Sequence, residues 1–355
     1  VNGDKNLVGK IAGNDDVTDH KDWDNGGFKG WEAGIASPDA LIQDWFSTLA
    51  DNAAAENGGT ARDFDGEPLE VYHTDDGLDL KQLVQKFLLG AVAFSQAADD
   101  YLDDDTEGKG LLAENTRDED SPYTSLEHQF DEGFGYFGAA RDYNDYTDEE
   151  IAGKGGRPSY ASGYHDSNDD GMIDLLSEFN FGNSTNAGKR DLGSTTGTDY
   201  SKGAFDAFLA GRAIISNAEG ELSDSELDAL REQRDLILDN WEKAIAATVV
   251  QYINDTLGDM DKFGTADYSY ADHTKHWGEL KGFALGLQFN PHSALSDADF
   301  NSFHAKVGTR PVLPSDAAGT ATPAGDIADY RTALEEARDI LQAAYDFAAD
   351  DVTNW

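Results

Sequence analysis

Residues 272–291, DHTKHWGELKGFALGLQFNP, read as a helix packed on more than one side. His276 and Glu279 share one face, while Gly278, Gly282 and Gly286 line another. Ionisable side chains on such a helix meet a desolvation cost unless something pairs with them. An earlier segment, EHQFDEGFGYFG at 127–138, offers Glu127, His128, Asp131 and Glu132 as partners. The two stretches together point to a buried histidine/carboxylate metal site between two helices.

Working outward, the chain is helical nearly throughout. Over residues 78–102, Leu80, Leu83, Val84, Phe87, Leu88, Ala91, Phe94, Ser95, Ala98 and Leu102 keep a 3.6-residue period, which predicts a core-facing helix. Helices are also expected from Pro38 onward and over about 123–142, 202–217, 224–256, 273–289, 296–306 and 326–349. Ser223 and Glu226 form a capping-box signature for the longest, whose Leu227, Leu230, Ile237, Leu238, Trp241, Ile245, Thr248, Val249 and Tyr252 mark the seam of an antiparallel bundle. Strand-like alternation is nearly absent, so the expected class is all-α.

Residues 1–36, rich in Gly, Asp and Asn, read as an extended arm that Trp23, Phe28 and Trp31 pin to the body. The remainder, 37–355, is expected to form one helical domain of two bundle halves, about 37–200 and 201–355. Long loops are expected at 103–122, 144–201 and 307–325, lengths that suggest ligand or ion binding.

Seventy Asp and Glu against 26 Lys and Arg give a formal charge of −44, a field that repels nucleic acid and anionic membrane and attracts cations. Acidity spread so evenly also suits a saline habitat. The scarce cations Lys189, Arg190, Lys202 and Arg212 are expected to neutralise buried carboxylates rather than bind phosphate. With no cysteine, disulfides, thiolate metal sites and cysteine nucleophiles are excluded. No stretch is apolar for long enough to form a membrane-spanning helix.

Two ion sites follow. DSNDDGMID, Asp166–Asp174, fits the first nine positions of a calcium loop, with Asp166, Asn168 and Asp170 as side-chain ligands, Gly171 at the sharp turn and Met172 offering its carbonyl. Asp174 follows at position nine. Position twelve is Ser177, and Glu178, one residue later, is the candidate to reach the ion. The second site draws on His128, Glu132, His276 and Glu279, with Glu127 and Asp131 beside them. Imidazole and carboxylate without thiolate suit iron, zinc or copper. Lys281 is a competitor that could salt-bridge Glu279 or Glu132. Neither HExxH nor HxxEH occurs, which makes a metal peptidase the weaker reading.

The runs EHQFDEGFGYFG, DGMIDLLSEFNFG, WEKAIAATVVQYIN and HWGELKGFALGLQFNP resemble a branch of uncharacterised bacterial lipoproteins in the imelysin-like family, over roughly residues 37–350. The resemblance implies two helical-bundle halves, export to the periplasm or cell surface with lipid anchoring before processing, and a role in acquiring iron or another metal. It also implies metal binding by a GxHxxE motif, whose His and Glu fall on His276 and Glu279; Thr274 stands where that motif has glycine. The expected function is thus an exported metal-binding protein with a structural calcium loop, meeting a metal ion or small metal-containing ligand and an outer-membrane uptake receptor. The alternatives are a metal-dependent hydrolase with Glu127 or Asp131 as general base, and a metal-free interaction module.

Overall fold

Ser37 and Pro38 start the first helix. The Ser37 hydroxyl accepts from the Ala40 amide, and proline at the first helical position has no amide to leave unsatisfied. In the computed structural model, which describes residues 6–117 and 121–355, α1 spans Pro38–Asn57 and is followed by a two-stranded ribbon, β1 (Asp63–Phe64) and β2 (Glu67–Pro68). Then come α2 (Leu80–Leu88), α3 (Ser125–Phe137), α4 (Asp148–Ile151), α5 (Asn183–Gly193), α6 (Tyr200–Asn217), α7 (Asp224–Met260), α8 (Tyr270–Gly286), α9 (Asp297–Val307), α10 (Ala324–Tyr345) and α11 (Ala349–Asn354). The protein is all-α, and the ribbon is the only sheet among the described residues.

The long helix α7 begins at the expected capping box, with Ser223 accepting from the Glu226 amide and the Glu226 carboxylate accepting from the Ser223 amide. It packs against α6, α8, α5 and α10. Its buried Trp241, Ile245, Val249 and Ile253 belong to one apolar cluster that also holds Phe87, Phe94, Phe137, Trp277 and Phe289, so a single core joins the stretches before and after residue 200.

The periodic segment 78–102 is helical but not uniform. After Leu88 it widens into π turns at Leu89–Phe94 and Ala97–Tyr101, burying Gln96, Asp99 and Asp100. The arm reaches these polar groups: His20 Nδ1 lies 2.8 Å from the Asp99 carboxylate, and Lys10 Nζ donates to Gln96 at 2.8 Å. Trp23 and Phe28 are buried, and Trp31 packs edge-on against Trp45 at 5.2 Å.

Helix α5 lies inside the stretch read as a loop at 144–201. Its sequence, NSTNAGKRDLG, has no apolar period, so its helicity rests on packing. Ala187 and Gly188 are buried there, and a Cβ on Gly188 would stand 2.4 Å from Ile151 of α4.

One crossing positions the site. A Cβ at Gly90 would lie 2.5 Å from the Gly286 Cα, and one at Gly282 would lie 2.7 Å from the Lys86 Cβ and 3.1 Å from the Leu83 carbonyl oxygen. The glycine face of α8 therefore lets α2 and its π extension approach backbone to backbone. That contact sets Lys86 beside Glu279.

Candidate functional site

On α8, His276 is held from one side. Its Nδ1 is 2.6 Å from Oδ2 of Asp259, in the last turn of α7, and Lys262 donates to Oδ1 of the same carboxylate at 2.9 Å. Burial works against both charges, yet the hydrogen bond between them wins: His276 is raised above its ordinary pKa, and the Asp259 carboxyl is lowered with further help from Lys262. Among the described residues, Nε2 of His276 makes no hydrogen bond. The ring stacks on Tyr252 of α7 at 6.3 Å between centroids, and Tyr252 stacks in turn on Phe283.

One turn further along α8, Glu279 is 5% exposed. Its Oε1 lies 3.4 Å from Lys86 Nζ, while its Oε2 is buried with no close hydrogen bond among the described residues. Burial, then the nearby Glu279 charge and the hydrogen-bonding approach of the Tyr252 hydroxyl to that carboxylate, raise the Tyr252 hydroxyl above its ordinary value. His273, one turn before His276, is fully buried, and burial depresses its imidazole to about 4. It is a neutral ring whose Nδ1 is 3.3 Å from the Tyr268 hydroxyl and whose Nε2 has no partner.

The other expected residues lie elsewhere. His128, on α3, is half-exposed, pairs through Nε2 with Glu132 at 3.0 Å and stacks on Tyr123. Glu127 is buried as the capping-box residue of α3, and Arg212 of α6 reaches both Glu127, at 2.9 Å, and Asp131, at 2.8 Å. Among the described residues, the groups of three ligand-bearing side chains within one ion's reach are Asp103, Asp104 and His292, and Asp148, Asp191 and Asp199. The structure therefore does not bring His128, Glu132, Glu127 or Asp131 to His276 and Glu279. The reason is packing: α3 lies on α6 and the 97–101 π turn, whereas α8 lies on α2 and α7.

Both acidic triads have internal explanations. Asp104 takes Arg231 and Arg234 at 2.7 and 3.0 Å. Asp191 accepts from the Tyr200 and Ser201 amides at the start of α6, at 2.9 and 2.8 Å.

Two expectations about cations are corrected. Lys281 bridges neither Glu279 nor Glu132: its fully buried Nζ bonds the His304 ring at 2.9 Å and the Gly308 carbonyl at 2.6 Å, and burial drives its pKa well down. Arg212 neutralises carboxylates as expected, but Lys189 and Arg190 make no ion pair with any described residue.

In the 166–178 loop, Asp166 accepts from the Asp170 and Gly171 amides at 3.1 and 2.8 Å, Asn168 accepts from the Asp170 amide at 2.9 Å, and Asp170 accepts from the Met172 amide at 2.8 Å. Gly171 adopts φ +82°, the left-handed turn that glycine permits. Asp174 is occupied by the Leu176 amide and the Ser177 hydroxyl. Glu178 straps the loop, one oxygen accepting from the Ser167 amide and hydroxyl and the other from the Asp174 amide. Beyond it, exposed Leu175 and Leu176 overhang an apolar cleft of about 450 Å³ that Phe130, Phe134, Phe179 and Phe208 also line.

Asp259 escaped the sequence reading because the helix was expected to end at 256, one turn too early. Lys86 escaped because the 78–102 pattern was read for its apolar positions alone. A charged residue facing a glycine stripe on another helix was the available signal.

Fold and site define an all-helical protein with a half-buried histidine/carboxylate cluster where helices meet. The chain belongs to a family described as a domain of unknown function, DUF4856, which it matches over residues 36–302. That span contains Lys86, Lys189, Arg190, Asp259, His276 and Glu279. No curated protein and no solved structure matches the chain.

Proposed function

We propose that the protein binds a transition metal ion, iron, zinc or copper, with Nε2 of His276 and Oε2 of Glu279 as its own donors, and that it serves metal acquisition outside the cytoplasm, as the imelysin-like resemblance implies. One observation carries the reading. Asp259 holds His276 by Nδ1, which leaves Nε2 for a ligand, while Glu279, one turn on, keeps a buried oxygen with no close hydrogen bond among the described residues and the Tyr252 hydroxyl beside its carboxylate. A carboxylate behind a ligating imidazole fixes its tautomer and strengthens it as a donor. A nitrogen and a carboxylate oxygen suit a borderline ion. Bound there, a metal supplies positive charge that satisfies Glu279 and leaves coordination positions for a ligand from solution. Glu127 and Asp131, the candidate bases for hydrolysis, are tied to Arg212, which favours a binder over a hydrolase.

The test is elemental analysis and calorimetric titration with zinc and ferrous iron on stripped protein. The expected result is one saturable site, lost in His276→Ala and in Glu279→Ala, with His128→Ala unchanged. Affinity falls as pH drops through the raised His276 pKa, because the proton competes for the imidazole. Stoichiometric metal in both alanine variants would sink the reading.

A second ion, calcium, is proposed for the turn of Asp166, Asn168 and Asp170, with the Met172 carbonyl. The favouring observation is that three oxygen-bearing side chains already wrap a turn with Gly171 in the left-handed region. Asp174 and Glu178 act as closers of that loop. Calcium is expected to raise the melting temperature and slow proteolysis within 144–201, and an unchanged melt would refute it.

A further inference from the structure

In a chain with only 26 Lys and Arg against 70 Asp and Glu, a cation left without an acidic partner calls for an explanation. Arg190 of α5 is 7% exposed, its Nε is buried without a hydrogen bond, and its guanidinium makes no ion pair or ring contact among the described residues. A buried guanidinium without a partner is costly, because its hydration is removed and nothing replaces it. Burial pulls Arg190 down to about 10 against the opposing pull of Tyr252, Asp255 and Asp191, and pulls its neighbour Lys189 below its ordinary value, with Lys154, Lys86 and Arg190 pushing in the same direction and Glu279 opposing. Lys189 is half-buried and likewise unpaired. Asn186, four residues before Arg190 and three before Lys189, keeps a buried Nδ2 with no acceptor. Lys86, brought in from α2 by the glycine crossing, completes the set with its Nζ 3.4 Å from Glu279. Arg190 Nε and the Asn186 amide are buried donors without an acceptor among the described residues; Asp255 and Asp191 act on Arg190, and Glu279 on Lys189, only through space.

We propose that the junction of α2, α5, α7 and α8 is a binding site for a small oxyanion, a carboxylate or phosphate group, held by Arg190, Lys189 and Lys86 with the Asn186 amide. The guanidinium fork and the amide recognise oxygens directionally, and the two ammonium groups supply charge. The strongly negative surface elsewhere repels anions, so this cluster of cations, of which Lys86 alone has an ion-pair partner, selects for them locally. None of its donors is a metal ligand, although Lys86 also pairs with Glu279, so the two sites adjoin.

The experiment uses metal-stripped protein in low-chloride buffer, titrated calorimetrically and by thermal melting with inorganic phosphate and, separately, succinate. Saturable binding of either at about millimolar concentration or below is expected, and which one binds identifies the group. Lys189→Gln should weaken binding about tenfold. Arg190→Met should abolish it while raising the melting temperature of the anion-free protein, since an apolar side chain replaces an unpaired charge. Lys243→Gln, an exposed lysine paired with Asp239, should bind as the parent does. The proposal is overturned if neither anion binds at about 10 mM, or if Lys189→Gln binds as tightly as the parent. Lys189→Gln decides the matter even if Arg190→Met fails to fold. His276, Asp259 and Glu279 are intact in every variant, so a negative result here leaves the metal proposal standing.

Discussion

The α8 cluster and the 166–178 loop are both acidic and both read as ion sites in sequence, but they are built oppositely. In the loop, Asp166, Asn168, Asp170, Asp174 and Glu178 all accept from amides or hydroxyls a few residues away. In the α8 cluster, the partners come from α2, α7 and the connection between α7 and α8, and Glu279 Oε2, His273 Nε2 and Arg190 Nε remain without a hydrogen bond among the described residues. A turn whose backbone closes on its own side chains holds its shape without help. Buried groups with unmet hydrogen bonds carry a penalty that a ligand can remove. The local motif was thus the easier to recognise, and the dispersed cluster has the greater need of a ligand.

The sharpest way to break that comparison is a wedge at the helix crossing. Gly90→Val places a branched side chain against the Gly286 backbone and is expected to lower stability by about 3 kcal/mol, while leaving loop proteolysis unchanged. Urea melts and limited digestion would check both halves, and loss of loop protection in this variant would mean that the two regions are coupled.

Next in size, Asp259→Asn should weaken metal binding about 10- to 100-fold while His276 and Glu279 stay in place. It should also change the pH profile. The stability from raising His276 is fully present below the ordinary value of 6.5 and is lost as pH rises through the raised one. The share from Asp259 is present above 3.8 and is lost as pH falls through its lowered value. Urea midpoints from about pH 4 to 9 should therefore flatten in the variant.

Glu178→Ala is expected to speed cleavage within 166–178 by roughly fivefold with no effect on metal binding, because its carboxylate closes only the loop. At the small end, His128→Ala should change stability by no more than about 0.5 kcal/mol, since its pair with Glu132 is largely solvated. A large effect from His128 in either metal or urea titrations would restore it to the site.

Patterns within one element were legible before any coordinates. The 3.6-residue period, the Ser223–Glu226 cap and the glycine face of 278, 282 and 286 each depend on neighbours within a few residues, and so does the Asp166–Gly171 turn. Helix α5 was not legible, because NSTNAGKRDLG has neither apolar period nor cap, and its helix is stabilised by Ile151 and α7 from outside. Pairing His276 with His128 requires a distance between two helices, which residue types cannot supply.

Sequence by itself determined an all-helical, cysteine-free, strongly acidic chain and placed His276 and Glu279 on one helix face, since periodicity and charge are local properties. Tertiary structure alone decided that Asp259 and Lys86, rather than His128 and Glu132, meet that face, and that Arg190 is buried unpaired. Which side chains converge depends on how helices cross, and here that rests on glycines allowing two backbones to touch.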